Sequence, residues 1–301
     1  MRLTILGNNS ALPAHGRHPT AQVLEIREQL FLIDCGEGTQ EQMQRYNIRR
    51  KRINHIFISH LHGDHYFGLI GLLTSMSLGG RATELSVYGP PQLKDIIDLQ
   101  LKVADVKLSY PLRFIPIEAG IAGTLLDTPY ITVHCFPVEH RIPCSGFVFE
   151  SRIPGRKLLP EKCKELGIPA AFYSRLKNGE DYMRRDGLLI SNEQVTESPA
   201  PSKRYAYCAD TLYTTSFLSH IKEVDMLYHE ATYLHQLAER ARERYHSTAV
   251  EAALLAREAG VQHLLIGHYS SKYEDISAFE REARTIFMNT TATCEGASYD
   301  I

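Results

Sequence analysis

The stretch Ile53–Leu73 reads INHIFISHLHGDHYFGLIGLL, and it holds the densest group of candidate metal ligands in the chain. Its first part, Ile53–Ile58, is rich in β-branched and aromatic residues and predicts a buried strand. The longer apolar run Phe67–Met76 predicts a helix. The candidate ligands between the two are His60, His62, Asp64 and His65. They therefore lie on a strand-to-helix turn, where packed elements on both sides can hold a site in place.

The spacing within this group allows it to serve two metal ions. His60 and His62 are two residues apart and face the same way in an extended segment, whereas Asp64 and His65 follow around the turn. Imidazole and carboxylate ligands together suit zinc, and a hydrolytic zinc site needs further ligands and an open position for water. Candidates at the ends of other predicted strands are His140, Asp210 and His268. A carboxylate such as that of Asp210 can bridge two ions.

Each candidate outside the group also has a plainer interpretation. A lone histidine at a strand end is more often a surface or hydrogen-bonded residue, and a lone aspartate there is more often a turn residue. For the H-x-H-x-D-H cluster, metal binding is the favoured interpretation, because metal-free loops rarely contain four such side chains so close together. Other histidines have no spacing partner that demands a metal, and these are His15, His18, His55, His134, His220, His229, His235 and His263.

The composition predicts a globular protein without a membrane segment. The chain has 301 residues, of which 44% are hydrophobic, and this suffices for a sizeable core. The apolar run Phe67–Leu73 is far shorter than the ~20 residues that span a bilayer, and Met1 leads into strand-like residues without a signal-peptide pattern. The 6 cysteines form no C-x-x-C pair, which argues against a disulfide framework or a zinc finger. We therefore expect a cytoplasmic protein.

Two local patches of basic residues stand out against a formal net charge of −2. A polyanionic substrate would have to bind such patches, because the chain as a whole offers no electrostatic attraction for it. One patch is Arg49–Arg52, just before the metal-loop strand, and the other is Arg152–Asp186, where nine Lys and Arg accompany five Asp and Glu. Glycine and proline punctuate residues 152–194, which we interpret as an arm inserted into one domain spanning residues 1–301. A solvated surface is the alternative interpretation of both patches.

Predicted strands and helices alternate outside the arm, which indicates an α/β fold. Thr248, with Glu251 three residues later, predicts a capping box before the Ala- and Leu-rich segment that ends at Ala259. The sequence contains neither a G-x-S-x-G elbow nor a G-x-x-x-x-G-K-[ST] phosphate loop. Serine-hydrolase and P-loop chemistry therefore have no support.

Seven short motifs follow one another in a fixed order along nearly the whole chain. They are Asp34-Cys-Gly-Glu-Gly-Thr-Gln40, His60-Leu-His62-Gly-Asp64-His65, Val138-Glu-His140-Arg141, Ala209-Asp210-Thr211, His229-Glu230-Ala231-Thr232, His246-Ser247-Thr248 and Gly267-His268-Tyr269-Ser270. In this order they resemble the metallo-β-lactamase superfamily and, within it, the ribonuclease Z family of tRNA 3′-end processing endonucleases. The histidine motif alone is moderately specific, and the ordered set is highly specific.

The resemblance implies a four-layer αββα sandwich in which residues 152–194 form a flexible tRNA-binding arm. It implies two zinc ions per subunit, bound by a set of residues carried over from the motifs: His60, His62 and His140 on one ion, Asp64, His65 and His268 on the other, and Asp210 bridging. Asp64, Glu230 and His246 are the implied catalytic residues. The expected reaction is removal of the 3′ trailer of precursor tRNA by metal-activated water, which leaves a tRNA 3′-hydroxyl, and the expected assembly is a homodimer.

The sequence departs from the family pattern at two places. Asn8-Asn9 stands where Thr-Gly is usual in the first loop, and Ala171-Phe172 replaces Gly-Pro in the arm. Two further hypotheses remain open. One is a dinuclear zinc hydrolase of small phosphodiester or acyl substrates, which would gain nothing from the basic arm. The other is a non-catalytic RNA-binding or scaffolding protein, which a metal assay would distinguish.

Overall fold

The computed structural model describes residues 1–152, 154–199 and 201–301. Ile153 of the predicted arm and Ala200 of the connection after it lie outside the described residues. The strands, in chain order, are β1 (Arg2–Gly7), β2 (Ala21–Ile26), β3 (Gln29–Ile33), β4 (Ile53–Phe57), β5 (Leu85–Gly89), β6 (Leu112–Pro116), β7 (Gly123–Asp127), β8 (Ile131–Val138), β9 (Cys144–Ser151), β10 (Lys157–Leu158), β11 (Tyr182–Met183), β12 (Leu189–Ile190), β13 (Thr196–Glu197), β14 (Lys203–Cys208), β15 (Met226–Glu230), β16 (His263–Gly267), β17 (Thr290–Ala292) and β18 (Ser298–Asp300).

The α-helices are short, and most of them connect consecutive strands. In chain order they are α1 (Thr39–Arg45), α2 (Gly63–Tyr66), α3 (Leu69–Leu78), α4 (Gln92–Val103), α5 (Pro160–Glu165), α6 (Tyr173–Lys177), α7 (Asn192–Val195), α8 (Leu218–Ile221), α9 (Ala238–Glu243), α10 (Ala249–Ala259) and α11 (Ser277–Arg284). No helix in the described part of the chain is long and apolar enough to span a bilayer. The predicted capping box is confirmed, since Glu251 accepts from the Thr248 amide at 2.8 Å and the hydroxyl of Thr248 accepts from the Glu251 amide.

The strands form two seven-stranded sheets, which pack face to face. The first has the order β18-β1-β2-β3-β4-β5-β6, and the second has the order β17-β16-β15-β14-β9-β8-β7. In the first sheet β3 to β6 are parallel, and in the second β14 to β17 are parallel. The side chains of β4 show how this sheet is covered on both faces: Phe57 points into the core between the sheets, whereas Ile56 points into the core under the helices.

The two sheets and the helices on their outer faces give the molecule four layers. Phe57 lies 5.2 Å from Phe149 and 5.5 Å from Phe147 between ring centroids, so aromatic side chains join the two sheets. Helices α1, α3 and α4 pack on the outer face of the first sheet, and α10 and α11 pack on the outer face of the second. Burial of each large apolar side chain contributes roughly 1.5–3 kcal/mol, so these layers supply most of the stability. The predicted four-layer αββα sandwich is confirmed.

Parallel strands bring chemically important residues to one edge of the sandwich. Asp34 follows β3, Ser59 and His60 follow β4, Asp210 follows β14, Glu230 ends β15, and His268 follows β16. The carboxyl ends of parallel strands meet at one edge, which is where ligands bind in many α/β proteins. The β-sandwich therefore assembles one site from residues that lie far apart in the sequence.

The inserted segment folds around a small apolar cluster of its own. Its buried members are Cys163, Ile168, Leu176, Ile190 and Val195. The pairs β10–β13 and β11–β12 form two-stranded ladders. At the base of the arm, β9 and β14 are antiparallel neighbours in which Ser151 pairs with Lys203. The two ends of the arm thus connect to neighbouring strands of the second sheet, β9 and β14.

Candidate metal centre and catalytic cleft

The first group of predicted ligands converges on one point. Nε2 of His60 lies 3.1 Å from Nδ1 of His62, and that atom lies 3.0 Å from Nε2 of His140. Oδ2 of Asp210 completes the group at 3.7 Å from His60 and 3.9 Å from His140. Three nitrogens and one oxygen at such separations match the edges of a tetrahedral zinc site, in which each metal–ligand bond is about 2 Å.

The second group lies on the other side of Asp210. Nε2 of His65 is 3.3 Å from Nε2 of His268, and that atom is 3.3 Å from Oδ2 of Asp64. Oδ1 of Asp210 approaches His65 to 3.4 Å and His268 to 3.2 Å. The two oxygens of one carboxylate thus face the two groups, which is the arrangement of a bridging ligand.

Asp210 provides a test of whether these residues suit a metal pair. Its carboxylate is buried, and Oδ1 accepts no hydrogen bond from any residue that the structure describes. A buried carboxylate oxygen without a partner is costly, and a cation between the groups would satisfy it. The residues present therefore fit two divalent ions.

The charge distribution in the centre agrees with this fit. Burial, with help from neighbouring imidazoles, lowers the pKa of His62 to about 4 and lowers the pKa of His60 below its ordinary value, so both rings are neutral and able to bind metal. Burial opposes protonation of His65 as well, but the carboxylates of Asp210 and Asp64 raise its pKa well above the ordinary value. The second group therefore attracts positive charge.

Residues behind the ligands fix their orientation. Oδ2 of Asp34 accepts a hydrogen bond from Nδ1 of His65 at 2.8 Å and another from the hydroxyl of Tyr207 at 2.6 Å. The hydroxyl of Ser59 lies 3.0 Å from Nδ1 of His60. These contacts leave Nε2 of each imidazole for a metal, in the manner of the outer hydrogen bonds that hold metal-binding histidines.

Two further ligands are oriented from the second sheet. Nδ1 of His268 is 2.9 Å from the hydroxyl of Thr232, and Nδ1 of His140 donates to the carbonyl oxygen of Tyr245 at 2.9 Å. The φ angles of Asp34, Tyr245 and His268 are all positive, at 55°, 59° and 62°. Such angles are rare for residues other than glycine and cluster at functional sites.

The first loop reaches the centre through its backbone. The amide of Ala11 donates a hydrogen bond to Oδ2 of Asp64 at 2.7 Å. The unusual Asn8-Asn9 pair holds this loop in place: the Asn8 side chain donates to the carbonyl oxygen of Thr293 and the Asn9 side chain donates to that of Leu12, both at 2.6 Å. The departure from Thr-Gly therefore leaves a loop that contacts the metal centre.

The predicted pair Glu230 and His246 forms a hydrogen bond beside the centre. Nδ1 of His246 lies 2.8 Å from Oε1 of Glu230, and Glu230 also accepts from the amides of Thr211, Thr232 and Ser247. Burial lowers the pKa of His246, but the Glu230 carboxylate outweighs it and raises the pKa to about 9. Glu230 therefore favours the charged form of His246 at the edge of the metal groups.

An open cleft of about 650 Å³ lies over the centre, and four cationic side chains line it: Arg141, Arg240, Arg244 and Lys272. Within the described residues none of the four forms an ion pair with a carboxylate. Glu37 is the acidic residue at the rim. The predicted basic run Arg49–Arg52 does not line the cleft, and Arg52 instead binds Glu25 at 2.8 Å. The positive charge of the cleft thus comes from Arg141, which belongs to a quoted motif, and from three residues that no sequence pattern indicated.

The structure brings the predicted site residues together, whereas the residues that contact them were only partly visible in the sequence. Ser59 and the backbone of Ala11 and Tyr245 carry no pattern of their own, because their contacts depend on the tertiary fold. Asp34 and Thr232 belong to two of the ordered motifs, but the motifs alone do not show that these residues bond to His65 and His268. A polar residue directly after a buried strand is the signal that could have identified Asp34 and Ser59.

A protein-family profile described as anti-Pycsar protein Apyc1 matches residues 1–109. Ribonuclease Z of Cytophaga hutchinsonii is 44% identical over 298 residues, covering 99% of this chain and 95% of that protein. Ribonuclease Z of Parabacteroides distasonis is 40% identical over 294 residues, covering 98% and 97%.

Solved structures share the architecture. The short form of human tRNase Z has a TM-score of 0.71 at 24% identity, covering 100% of this chain and 99% of that one. The metallo-β-lactamase fold protein YhfI of Bacillus subtilis has a TM-score of 0.69 at 18% identity, covering 99% and 98%. At these identities the structures support the fold.

Proposed function

The chain belongs to the ribonuclease Z family, and from this premise we propose that it is an endoribonuclease that removes the 3′ trailer of precursor tRNA and leaves a 3′-hydroxyl on the tRNA. One observation carries the proposal. A centre able to hold two metal ions lies beside a histidine that bonds to a buried carboxylate, at the bottom of a cleft lined by cations. Hydrolysis of a polyanionic phosphodiester needs these three elements together.

We propose that the metal ions are two zinc ions. His60, His62 and His140 would hold one ion, Asp64, His65 and His268 would hold the other, and Asp210 would bridge them. When bound, the ions would activate a water molecule and neutralise charge on the scissile phosphate. The uncharged imidazoles of the first group and the carboxylates of the second suit this borderline-soft cation.

The side chains of the chain itself would move the protons. The carboxylate of Asp64, held by the amide of Ala11, would accept a proton from the attacking water. His246 commits Nδ1 to Glu230, so Nε2 is the ring nitrogen left to protonate the departing 3′-oxygen. The Glu230 carboxylate raises the pKa of His246 and so favours the charged form that this step needs.

The arm supports tRNA as the substrate class. Several of its cations form ion pairs on the arm itself, such as Arg175 with Glu180 at 2.6 Å. Others are exposed and have no carboxylate partner among the described residues, and these are Lys162, Lys177 and Arg185. Charges left free in this way can bind the phosphates of an RNA that extends well beyond the cleft.

Removal of the arm tests the substrate class. Because Ser151 and Lys203 are paired neighbours at its base, a short Gly-Ser linker can replace residues 153–201 without separating β9 from β14. We expect the deletion to weaken binding of precursor tRNA by at least about tenfold, since several phosphate contacts are lost. The triple substitution K162Q/K177Q/R185Q, which keeps the arm, should show part of that loss. Unchanged affinity in both variants would contradict the tRNA assignment.

We also propose that the protein is cytoplasmic and forms a homodimer. Large apolar side chains beside and on α3 and α4 are exposed, among them Phe67, Leu78, Leu99 and Val103. Side chains of this kind supply the apolar centre of dimer interfaces. Sedimentation velocity of the metal-loaded protein tests the assembly, and a single monomeric species at micromolar concentration would reject it.

A further inference from the structure

A second groove adjoins the cleft that lies over the metal centre. Its volume is about 600 Å³, and both cavities are lined by His140 and Arg141. The groove wall also includes Leu212, Ile142 and Tyr245. Because the two cavities meet at a metal-ligand residue and at an exposed arginine, an RNA strand bound in the cleft can continue over Arg141 into the groove.

Tyr245 carries an aromatic ring and lines this groove. Its backbone carbonyl accepts the hydrogen bond from Nδ1 of His140, and its φ of 59° holds the chain in a conformation that side chains other than glycine rarely adopt. The backbone of Tyr245 is therefore fixed relative to His140, while 40% of the residue is exposed. An aromatic side chain at a strained backbone position beside a reactive centre indicates a use for the ring.

The ring has no stacking partner within the part of the chain that the structure describes. The exposed Tyr130, by contrast, has a partner in the guanidinium of Arg27, which lies 4.2 Å from its ring centroid. A free ring next to the path of a polyanion suits a nucleobase, because every base has a flat face and such stacking contributes roughly 1–3 kcal/mol.

The position of His246 decides which nucleotide reaches the ring. His246, Arg240 and Arg244 line the cleft and do not line the groove. Since His246 protonates the departing 3′-oxygen in the proposed function, the tRNA body lies on the cleft side of the scissile phosphate. The strand on the other side, which begins with the first nucleotide of the trailer, then lies in the groove.

Resting on that proposed function, we infer that Tyr245 stacks on the base of the first trailer nucleotide and thereby positions the scissile phosphate over the metal centre. The base fits the groove because the walls are largely apolar, and Arg141 at the junction can bind a phosphate next to it. The tyrosine acts on the substrate through its side chain, whereas its carbonyl orients His140.

Paired changes in protein and RNA test the inference. Cleavage is measured as kcat/KM for the wild type, Tyr245→Phe, Tyr245→Leu and Tyr245→Ala on three precursor tRNAs. One precursor is unmodified, one lacks the base of the first trailer nucleotide, and one lacks the base of the last nucleotide of the tRNA body. We expect Tyr245→Leu and Tyr245→Ala to lower kcat/KM on the unmodified precursor by ~5- to 100-fold, and Tyr245→Phe by less than about threefold, because only stacking is lost.

The decisive result is the loss on the modified precursors. On RNA without the first trailer base, the penalty of Tyr245→Leu should shrink to less than about twofold, whereas on RNA without the last base of the body it should persist. An equal penalty on all three precursors would overturn the inference and indicate a structural role. If the penalty of Tyr245→Leu disappears only on RNA without the last base of the tRNA body, the ring stacks on the body nucleotide, and the inference is wrong. If the wild type cleaves none of the precursors, the proposed function fails, and the inference fails with it.

Discussion

Nδ1 of His246 lies 2.8 Å from Oε1 of Glu230, and this contact links the proposed acid of the site to a buried carboxylate. Glu230 is almost fully buried, and the amides of Thr232 and Ser247 hold its carboxylate at 2.9 and 3.1 Å. Because Glu230 cannot turn away, His246 keeps one tautomer and one orientation. The ring would therefore present Nε2 to a substrate bound in the cleft.

Replacing His246 by alanine should abolish most turnover without emptying the metal centre. We expect kcat for precursor tRNA to fall by ~10²- to 10⁴-fold, the usual contribution of a general acid. Zinc content by mass spectrometry should match that of the wild type. His134→Ala is a suitable control, because His134 bonds to Thr124 away from the cleft. Near-normal cleavage by His246→Ala would reject the acid role.

Replacing Asp210 by asparagine should remove metal from both groups at once. The two carboxylate oxygens lie 3.2 Å from His268 and 3.7 Å from His60, so one neutral amide cannot serve both ions equally. We expect the metal content after dialysis to fall by at least about half, because a bridging charge is lost. Asp225→Asn, which affects the ion pair with Lys203, is the control. Unchanged metal content would argue against a bridging carboxylate.

The cationic wall of the cleft should appear in the salt dependence of cleavage. The double variant R240Q/R244Q removes two arginines that line the cleft near His246. We expect the slope of log(kcat/KM) against log[salt] to become shallower by about one for each lost phosphate contact. Arg242 lies on α9 with Arg240 but does not line the cleft, so the control variant Arg242→Gln should keep the wild-type slope. Equal slopes in both variants would contradict phosphate binding by this wall.

His55 should make the fold sensitive to mild acid. Its ring is stacked on Phe31 at 5.3 Å, and burial, together with the charges of Arg113 and Arg81, lowers its pKa to about 4. The unfolded chain binds this proton near pH 6.5, so the stabilisation is complete above about pH 6.5 and is lost as the pH falls towards 4. Urea unfolding of wild type and His55→Phe at pH 7 and 5 measures the effect. We expect the wild type to lose about 2 kcal/mol more than the variant, and equal losses would contradict a buried neutral His55.

Local sequence patterns predicted much of the fold because its main strands are apolar runs with clear ends. The interpretation of Phe67–Met76 as one helix was only partly right: α3 begins at Leu69, and the separate turn of α2 carries Asp64 and His65. The edge strands β7, β17 and β18 were not predicted, since they are short and half-buried and carry weak patterns. Pairing with a neighbouring strand defines such edges, and that pairing is not visible locally.

The candidate metal ligands were recognisable in the sequence for a different reason. His60, His62, Asp64 and His65 are adjacent in the sequence, so their spacing alone indicates a shared centre. The orienting contacts of Asp34 with His65 and of Tyr245 with His140 span distant segments and only appear in the fold. The same holds for Arg240 and Arg244, whose place in the cleft depends on how α9 packs beside the second sheet.

The most direct test of the central claim is to incubate the zinc-loaded protein with a precursor tRNA that carries a 3′ trailer and to determine both new ends. We predict a single cut immediately after the last nucleotide of the tRNA body, with a 3′-hydroxyl on the tRNA and a 5′-phosphate on the trailer, because water attacks phosphorus and the 3′-oxygen departs. Absence of cleavage by fully metal-loaded protein would contradict it. So would a 2′,3′-cyclic phosphate on the tRNA, which would mean that the ribose 2′-hydroxyl had attacked instead of water.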